Sequence, residues 1–573
     1  MSQIIVLKFG SSVLRTRADL PNVVHEIYRW YRHGHSVVVV VSAIGAGTDQ
    51  LLGEAREFTA APEPYATAEL LATGERESAA LLGIALDRAG IPARVLNPRE
   101  IGLTALGSPL DSALVSVNTA RVRELLVDHP VLVVPGFFGT DSEGRTHVLG
   151  RGGSDLTAVY LSKALDAECR LIKDVDGVYE SDPASVSRES DAAAGRLRRY
   201  VSLDYSTALG VAAPLIQPKA IDFLRLQGSR VQVAGQAKGY ETIVHSDGVV
   251  LGDAPRAEPL KVLLLGLGTV GFGVYQRLLA NAQDFEVIGA LVRDRGKFER
   301  QGVPGGLLRT RIDQILKHRA NVVIDALPGI EPSLNLAQHF LAIGVPVVSA
   351  NKALIGENGV ELSVLARRSG AGLCFSAAVG GAAPMIESVG RAAGARPIAS
   401  VSGILNGTCN FVLDRLSRGV SLSEAIAEAQ RTGFAEHDAT EDLSGRDAAR
   451  KLRILARHAF GAEPRELATE SLDELVAERA RELRRTGSAL RQVARAVISD
   501  GEVRGAVRLE EVPAHSRFAE LQNEWNALEI ATQDGAVHTV TGRGAGRWPT
   551  TEAVMADLFD IRRRAMVASA AQK

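Results

Sequence analysis

The amino-acid sequence predicts an α/β protein of two fused halves, each built around a mostly parallel sheet. In the first half, apolar strand-like runs alternate with helical patterns, the order that lays helices on both faces of a sheet. Near the middle, Pro259-Leu-Lys-Val-Leu-Leu-Leu-Gly-Leu-Gly-Thr-Val-Gly271 reads as a strand, a glycine turn and the start of a helix. At 573 residues the chain also exceeds what one hydrophobic core supports, so several domains are expected.

Hydrophobic residues make up 46% and charged residues 23%, the balance of a globular chain rather than a disordered one. A formal net charge of -2 shows no bias towards nucleic acid or anionic lipid, and neither is expected as a partner. Cys169, Cys374 and Cys409 are few and far apart, so neither a disulfide framework nor a cysteine-rich zinc site is expected. The opening MSQIIVLKFGSS lacks a basic region ahead of an apolar run, and no apolar stretch reaches membrane-spanning length. A cytoplasmic location with small-molecule substrates is the expectation.

Taken in order, Ile4 to Leu7 is a short strand ending at Lys8-Phe-Gly-Ser-Ser12. A lysine beside a glycine turn can neutralise a phosphate oxygen while N–H groups and hydroxyls complete the cradle; an ordinary surface lysine is the competing reading. Ser36 to Val41 is an apolar strand opening into Ser42-Ala-Ile-Gly-Ala-Gly-Thr48, and Leu70 to Ala89 has helical spacing with Glu75 near its start. Read alone, Glu75 is an exposed helix residue. Val131 to Val134 ends in Pro135-Gly-Phe-Phe-Gly139, Val148-Leu-Gly-Arg-Gly-Gly-Ser-Asp155 leads into a helix over Leu156 to Leu165, and Leu171 to Tyr179 returns to a strand and an acidic loop. Each polar loop follows a strand, and open parallel sheets bind ligands beyond those strand ends.

The series Lys8-Phe-Gly, Ser42-Ala with Thr48, Gly74-Glu75, Pro135-Gly-Phe, Gly150-Arg-Gly-Gly-Ser-Asp155 and Asp174-Val-Asp-Gly-Val-Tyr179 with Asp182-Pro183 resembles the aspartate kinases of the amino-acid-kinase fold, an αβα sandwich. The resemblance implies a kinase-like domain at 1–246 using ATP and Mg²⁺. It places Lys8, Gly10 and Ser11 on the phosphates, Lys8 with a catalytic role, and Lys173, Asp174 and Tyr179 along the nucleotide. Thr48, Glu75, Arg151 and Asp155 would hold aspartate. Phosphoryl transfer is mainly positioning and charge neutralisation, which these residue types supply.

Three departures from the family leave a second reading open. The loop is Lys8-Phe-Gly-Ser-Ser-Val13 where the family has Lys-Phe-Gly-Gly-Thr-Ser, Ala184 stands at a usually basic position, and Pro214 replaces a nucleotide-contacting lysine for which Lys219 is a nearby substitute. The alternative is a dehydrogenase carrying a non-catalytic, structural or effector-binding kinase-like module. After the strand-like Arg230 to Ala234, only Gly235 to Glu258 precedes the second half, with 247–259 read as a linker. That length leaves no room for the paired regulatory domains usual in fused aspartate kinases.

In the second half, Gly266 permits the tight turn, Gly268 lets backbone approach a pyrophosphate, and Gly271 lets the helix over Phe272 to Ala282 pack close. Phe285 to Val292 is the next strand. Arg293-Asp-Arg-Gly-Lys297 stands where an NAD-preferring site would place an acid for the ribose, which favours NADP(H) over NAD. Strands at Val322 to Ala326 and Val345 to Ser349 follow, the latter leading to Lys352. Asp447 and Lys451 stand four apart on one helix face, a spacing that also suits a plain surface ion pair.

Gly266-Leu-Gly-Thr-Val-Gly271, Ala350-Asn-Lys-Ala-Leu354, Gly403-Ile-Leu-Asn-Gly-Thr408, Gly433-Phe-Ala-Glu436 with Asp442, Gly445-x-Asp447-x-x-x-Lys451 and Gly542-Arg-Gly-Ala-Gly546 together closely resemble homoserine dehydrogenase. The resemblance implies NADP(H)-linked interconversion of aspartate semialdehyde and homoserine. It puts Glu436, Asp442 and Asp447 on the substrate's ammonium and hydroxyl end, makes Lys451 the proton donor, and sets Lys352 at the nicotinamide. Leu267, Gly268, Thr269, Val270, Gly271, Arg293, Lys297, Ser349, Lys352, Gly433 and Gly546 would line the cofactor. A monovalent cation, Na⁺ or K⁺, would rest on Val379, Gly381 and Ala383, with Ser376 replacing the usual acid.

The expected divisions are a Rossmann domain at 260–383, an α/β substrate and dimerisation domain at 384–540, a return to the nucleotide fold at 541–565 and a disordered tail at 566–573. Ser471 to Arg485 reads as a charged helix, and Val503 to Val507 and Val537 to Thr541 as strands. A homodimer or homotetramer is expected.

Overall fold

Continuous valine and isoleucine runs form strands that are buried on both faces, and in this protein they set the centre of each half. The computed structural model describes residues 3–181, 197–212, 215–236, 239–253, 258–435 and 438–571, with side chains to 566. Ala184, Pro214 and Glu436 lie outside the described residues. The chain divides into two compact units, Met1–Asp87 with Pro92–Ala257 and Ala565–Lys573, and Arg88–Ile91 with Glu258–Arg564.

The first unit holds a nine-stranded sheet in the order Val250–Asp253, Arg198–Asp204, Glu241–His245, Val231–Gly235, Glu168–Lys173, Ile4–Phe9, Ser36–Val41, Val131–Pro135 and Ala93–Val95. From Val231–Gly235 to Ala93–Val95 every neighbouring pair is parallel. Ile4–Phe9, Ser36–Val41 and Val131–Pro135 are buried along their whole length. Register sets Lys8 between Val40 and Leu171, at the C-terminal end of its strand. A small sheet of Asp111–Ser116, Thr104–Ser108, Phe138–Thr140 and Thr146–Val148 completes the unit.

The expected linker at 247–259 is corrected by this sheet. Val250–Asp253 is an edge strand, antiparallel to Arg198–Asp204, so the sheet extends to residue 253. Its glycine and aspartate hide the strand in the sequence, because backbone pairing rather than an apolar run holds it.

In the second unit, six parallel strands run in the order Leu308–Arg309, Phe285–Leu291, Leu260–Leu265, Val322–Asp325, Val347–Ser349 and Leu373–Cys374. Leu260–Leu265 has later strands on both sides, so strand order reverses there and a crevice opens at its C-terminal end. A second six-stranded sheet, largely antiparallel, runs Leu467–Thr469, Glu502–Pro513, Ser488–Ser499, Ile398–Ile404, Trp525–Thr532 and Val537–Arg543. Pairing of Val537–Arg543 with Trp525–Thr532 carries this sheet past the expected boundary at 540.

The helix Arg547–Ala571 then returns to the parallel sheet. Phe559 meets Phe285 edge to face at 4.8 Å, and Arg562 pairs with Asp284 at 2.8 Å. The tail expected to be disordered from 566 instead continues this helix to Ala571, as its alanine-rich composition favours.

Candidate functional site

In the second unit the glycine turn has three distinct geometries. Gly266 is left-handed at φ +93°, and a Cβ there would lie 2.9 Å from Ala326 O. A Cβ on Gly271 would come within 2.1 Å of Gly266 O, so only glycine allows this helix to approach its strand. Gly268 is extended and directly precedes the helix Thr269–Leu279; nothing lies within 4 Å of where its Cβ would be. That open space at a helix N-terminus fits a pyrophosphate, which unpaired N–H groups and the helix dipole attract. Leu267 is buried, whereas Gly268 and Thr269 face solvent and Val270 is half-buried.

Arg293 and Lys297 are exposed beyond the strand Phe285–Leu291. Asp294 Oδ1 accepts from Lys297 N at 2.9 Å and so caps the helix Arg295–Arg300. Gly433, at φ +81°, ends the helix Leu422–Thr432, and Gly546, at φ +110°, precedes Arg547–Ala571. The adjoining Phe434 accepts from Thr408 Oγ1 at 2.7 Å, which ties the Gly433 turn to the start of the helix Gly407–Ser417.

The charged cluster lies where Ile398–Ile404 gives way to Gly407–Ser417. Lys451, on the helix Arg446–Phe460, is 4% exposed and its Nζ lies 2.7 Å from Asp447 Oδ2. The same Nζ donates to Leu405 O at 2.7 Å. Lys352 Nζ stands 3.9 Å from Asp447 Oδ1 and its side chain is 47% exposed, so it is the more solvated cation. Asn406 Nδ2 donates to both Asp442 Oδ1 at 2.7 Å and Asp447 Oδ2 at 2.8 Å. Burial pushes the Lys451 pKa below the usual lysine value, with Asp447 working against the shift. Burial would raise Asp447, but Lys451, Lys352 and Asn406 hold its carboxyl well below the usual range. An anionic Asp447 therefore aims a desolvated lysine, a fitting arrangement for proton transfer.

At the end of Val322–Asp325, Asp325 is wholly buried and accepts from Ser333 Oγ and Ser349 Oγ, both at 3.0 Å. The Ser349 hydroxyl in turn accepts from Asn351 N at 3.1 Å. The Ser349 side chain, expected at the cofactor, is wholly buried and braces Asn351, which caps the helix that opens at Lys352.

At the expected cation turn, Ala383 O accepts from Met385 N at 2.8 Å and lies 2.0 Å from a Cβ built on Gly380. Ser376 Oγ donates to Glu387. Backbone carbonyls of this turn with Glu387 as the one carboxylate nearby would make a weakly charged donor set, better matched to a monovalent cation than to a divalent one.

In the first unit, Lys8 Nζ is 2.6 Å from Asp155 Oδ1 and Lys173 Nζ is 3.5 Å from Asp155 Oδ2. A Cβ on Gly10 would meet Lys8 Nζ at 2.6 Å, so the lysine lies directly over this loop. Burial opposes charge on Asp155, but Lys173 and Lys8 hold its pKa at about 2. Lys173 is lowered to about 8 by burial, partly offset by Asp155. Glu75 is 2% exposed, not the exposed helix residue of the isolated reading, and burial lifts its pKa to about 7. Its Oε1 accepts from Ala43 N at 3.1 Å, while Oε2 is buried with no hydrogen-bond partner.

Thr48 lies in the first turn of the helix Gly47–Phe58, and Arg151 is exposed between left-handed Gly150 and Gly152. Gly10 is buried, whereas Ser11 and Asp174 are exposed. The Tyr179 hydroxyl donates to Asp176, and burial followed by that carboxylate raises its pKa. Lys219 is held by Asp111 and donates to Leu149 O at 2.9 Å.

Comparison with known proteins matches residues 266–376 to the homoserine dehydrogenase NAD binding domain, 384–559 to the homoserine dehydrogenase family and 3–235 to the amino acid kinase family. A Synechocystis homoserine dehydrogenase is 32% identical over 318 residues, covering 53% of this chain and 73% of the relative. The chain belongs to the homoserine dehydrogenase family. A solved homoserine dehydrogenase from Thiobacillus denitrificans, 32% identical with a TM-score of 0.51, covers 55% of this chain and 75% of that chain. An aspartokinase from Thermus thermophilus is 36% identical over 230 residues, 39% of this chain and 55% of the relative. The chain thus spans about half the length of that aspartokinase.

An amino acid kinase family domain and the two homoserine dehydrogenase domains thus lie on one chain. Its NAD binding domain implies a nicotinamide dinucleotide and its kinase domain implies ATP. No described helix is long and apolar enough to cross a membrane. Sequence reading gave no role to Asn406, although it lies within the Gly403 to Thr408 motif, or to Asp325 and Glu387. Their signal was faint, since each is a polar residue at a strand or turn end or on a helix with no distinctive spacing.

Proposed function

We propose that the chain carries out two separate steps: ATP-dependent phosphorylation of L-aspartate to 4-phospho-L-aspartate, and NADP(H)-dependent interconversion of L-aspartate 4-semialdehyde and L-homoserine. The product of the first step is an acyl phosphate, so a separate reductase must act between them.

Buried Lys451, held by Asp447 and Leu405 O, carries the dehydrogenase reading. When bound, the dinucleotide supplies or accepts the hydride. Lys451 protonates the carbonyl oxygen as the aldehyde is reduced and takes the hydroxyl proton back in the reverse direction. Asp447 stabilises the charged lysine, and Asp442 and Asp447 offer negative charge to the substrate's ammonium, a role shared with Glu436. The turn at Leu267 to Gly271 holds the pyrophosphate, with Gly433 and Gly546 at the cofactor's edge and Lys352 beside the nicotinamide. Asp294 is occupied as a helix cap, leaving Arg293 and Lys297 for a ribose 2′-phosphate, which favours NADP(H). A Na⁺ or K⁺ ion on Val379, Gly381 and Ala383 would brace the turn. Lys451→Ala is expected to bind NADPH with wild-type affinity and to lose about 100-fold or more in homoserine oxidation. Unchanged turnover would remove the assigned proton donor.

For the kinase, Lys8, Lys173 and Asp155 support phosphoryl transfer. An aspartate carboxylate oxygen attacks the γ-phosphorus as its bond to ADP breaks, and the two lysines with the Gly10 and Ser11 loop neutralise the spreading charge. Mg²⁺ enters with ATP as substrate. Asp174 and Tyr179 lie along the nucleotide, while Thr48, Glu75 and Arg151 hold aspartate. One observation favours the alternative, a non-catalytic module: Lys219, the substitute for the missing lysine, is engaged by Asp111 and Leu149 O. An ATP-dependent aspartyl-hydroxamate assay separates the two readings.

A further inference from the structure

Asn406 is 4% exposed and both ends of its side-chain amide are engaged. Its Nδ2 reaches Asp442 Oδ1 at 2.7 Å and Asp447 Oδ2 at 2.8 Å, and its Oδ1 accepts from Cys409 N at 2.8 Å, capping the helix Gly407–Ser417. Asp447 Oδ2 is the oxygen that lies 2.7 Å from Lys451 Nζ. Asp442 and Asp447 are half-buried on neighbouring helices, and two such carboxylates repel each other unless donors stand between them. A neutral amide supplies two N–H donors and still leaves an oxygen for the cap. We infer that Asn406 is a positioning residue for the dehydrogenase reaction: its amide joins Asp442 to Asp447 and so fixes the carboxylate that aims Lys451. The inference rests on the reading of Lys451 given above.

Asn406→Asp is the informative variant. It keeps the size and the cap, because Asp and Asn cap helices about equally well, but replaces both donors by a carboxylate facing Asp442 and Asp447. The charged and titratable groups around it are Asp442, Asp447, Lys451, Lys352 and Cys409. A third carboxylate placed against two others favours retention of a proton, and that proton restores one donor.

The experiment measures kcat/KM for homoserine oxidation with NADP⁺ between pH 6.5 and 9.5, alongside NADPH affinity by fluorescence. Asn406→Ala is expected to lose about 10- to 100-fold in kcat/KM, the worth of hydrogen bonds to charged groups, with NADPH affinity within about twofold of wild type. Asn406→Asp is expected to lose most at high pH and to recover towards wild type as the pH falls. A loss by the same factor at every pH, or none at all, would overturn the inference. If the aspartate variant does not fold, Asn406→Ser, which keeps the cap and one donor, should fall between wild type and alanine; equality with alanine would equally overturn it. Wild-type protein inactive with homoserine would instead sink the reading of the site itself.

Discussion

Asp155 and Glu75 are both buried carboxylates in the kinase domain, yet their pKa values diverge to about 2 and about 7. Asp155 touches two lysine ammonium groups, whereas burial of Glu75 outweighs the Ala43 N–H and the smaller help of Lys8 and Thr48. A carboxyl whose folded pKa is raised keeps its proton where the unfolded chain has lost it. Its stabilising effect is complete below the unfolded value, near 4.5, and is lost as pH rises through about 7. The Glu75→Gln variant should therefore gain on wild type between pH 4.5 and 7, by on the order of 3 kcal/mol at most, measured as the difference between their urea-unfolding curves. For substrate the sign is opposite. An ionised Glu75 suits an ammonium group, so the KM for aspartate should fall from pH 6 to pH 8 in wild type and stay high and flat in the variant. Chemistry was legible at this scale where it has a spacing, as in the Asp447 and Lys451 pair. Asn406 had none: its role depends on a helix some forty residues away, which only folding brings to it.

Glycines of one turn separate packing from binding at the scale of the element. A Cβ on Gly271 would run into backbone at 2.1 Å, whereas one on Gly268 would enter open space. Gly271→Ala should cost about 1–3 kcal/mol of stability and weaken NADPH binding with it. Gly268→Ala should leave the melting transition within about 0.5 kcal/mol of wild type and still lose at least about tenfold in NADPH affinity, because the methyl group occupies the phosphate's place. Unchanged NADPH affinity in a Gly268→Ala variant that melts like wild type would show that the space over Gly268 is not where the dinucleotide lies. Parallel strands such as Ser36–Val41 were readable because burial on both faces leaves an unbroken apolar run. Ser488–Ser499 was not, since buried Arg491 and Gln492 interrupt its run; the Arg491 guanidinium is satisfied by Phe518, Ala519 and Leu521 carbonyls. The edge strand Val250–Asp253 escaped for want of any apolar pattern.

Over the whole molecule, the two halves were legible because each opens with an apolar strand running into a glycine loop, at Lys8 and at Gly266. The length of chain between them set the domain pair, while the paired strands at its start refined where the first sheet stops. Two units with separate clusters, Lys8 with Asp155 and Lys451 with Asp447, predict separable activities. The most direct test assays one preparation for both reactions, as ATP-dependent aspartyl hydroxamate and as homoserine-dependent NADP⁺ reduction, in wild type and in Lys8→Ala. Hydroxamate formation that disappears in Lys8→Ala while NADP⁺ reduction persists is the predicted result; no Lys8-dependent hydroxamate at saturating ATP, Mg²⁺ and aspartate would contradict it and leave a homoserine dehydrogenase joined to a kinase-like module that does not catalyse.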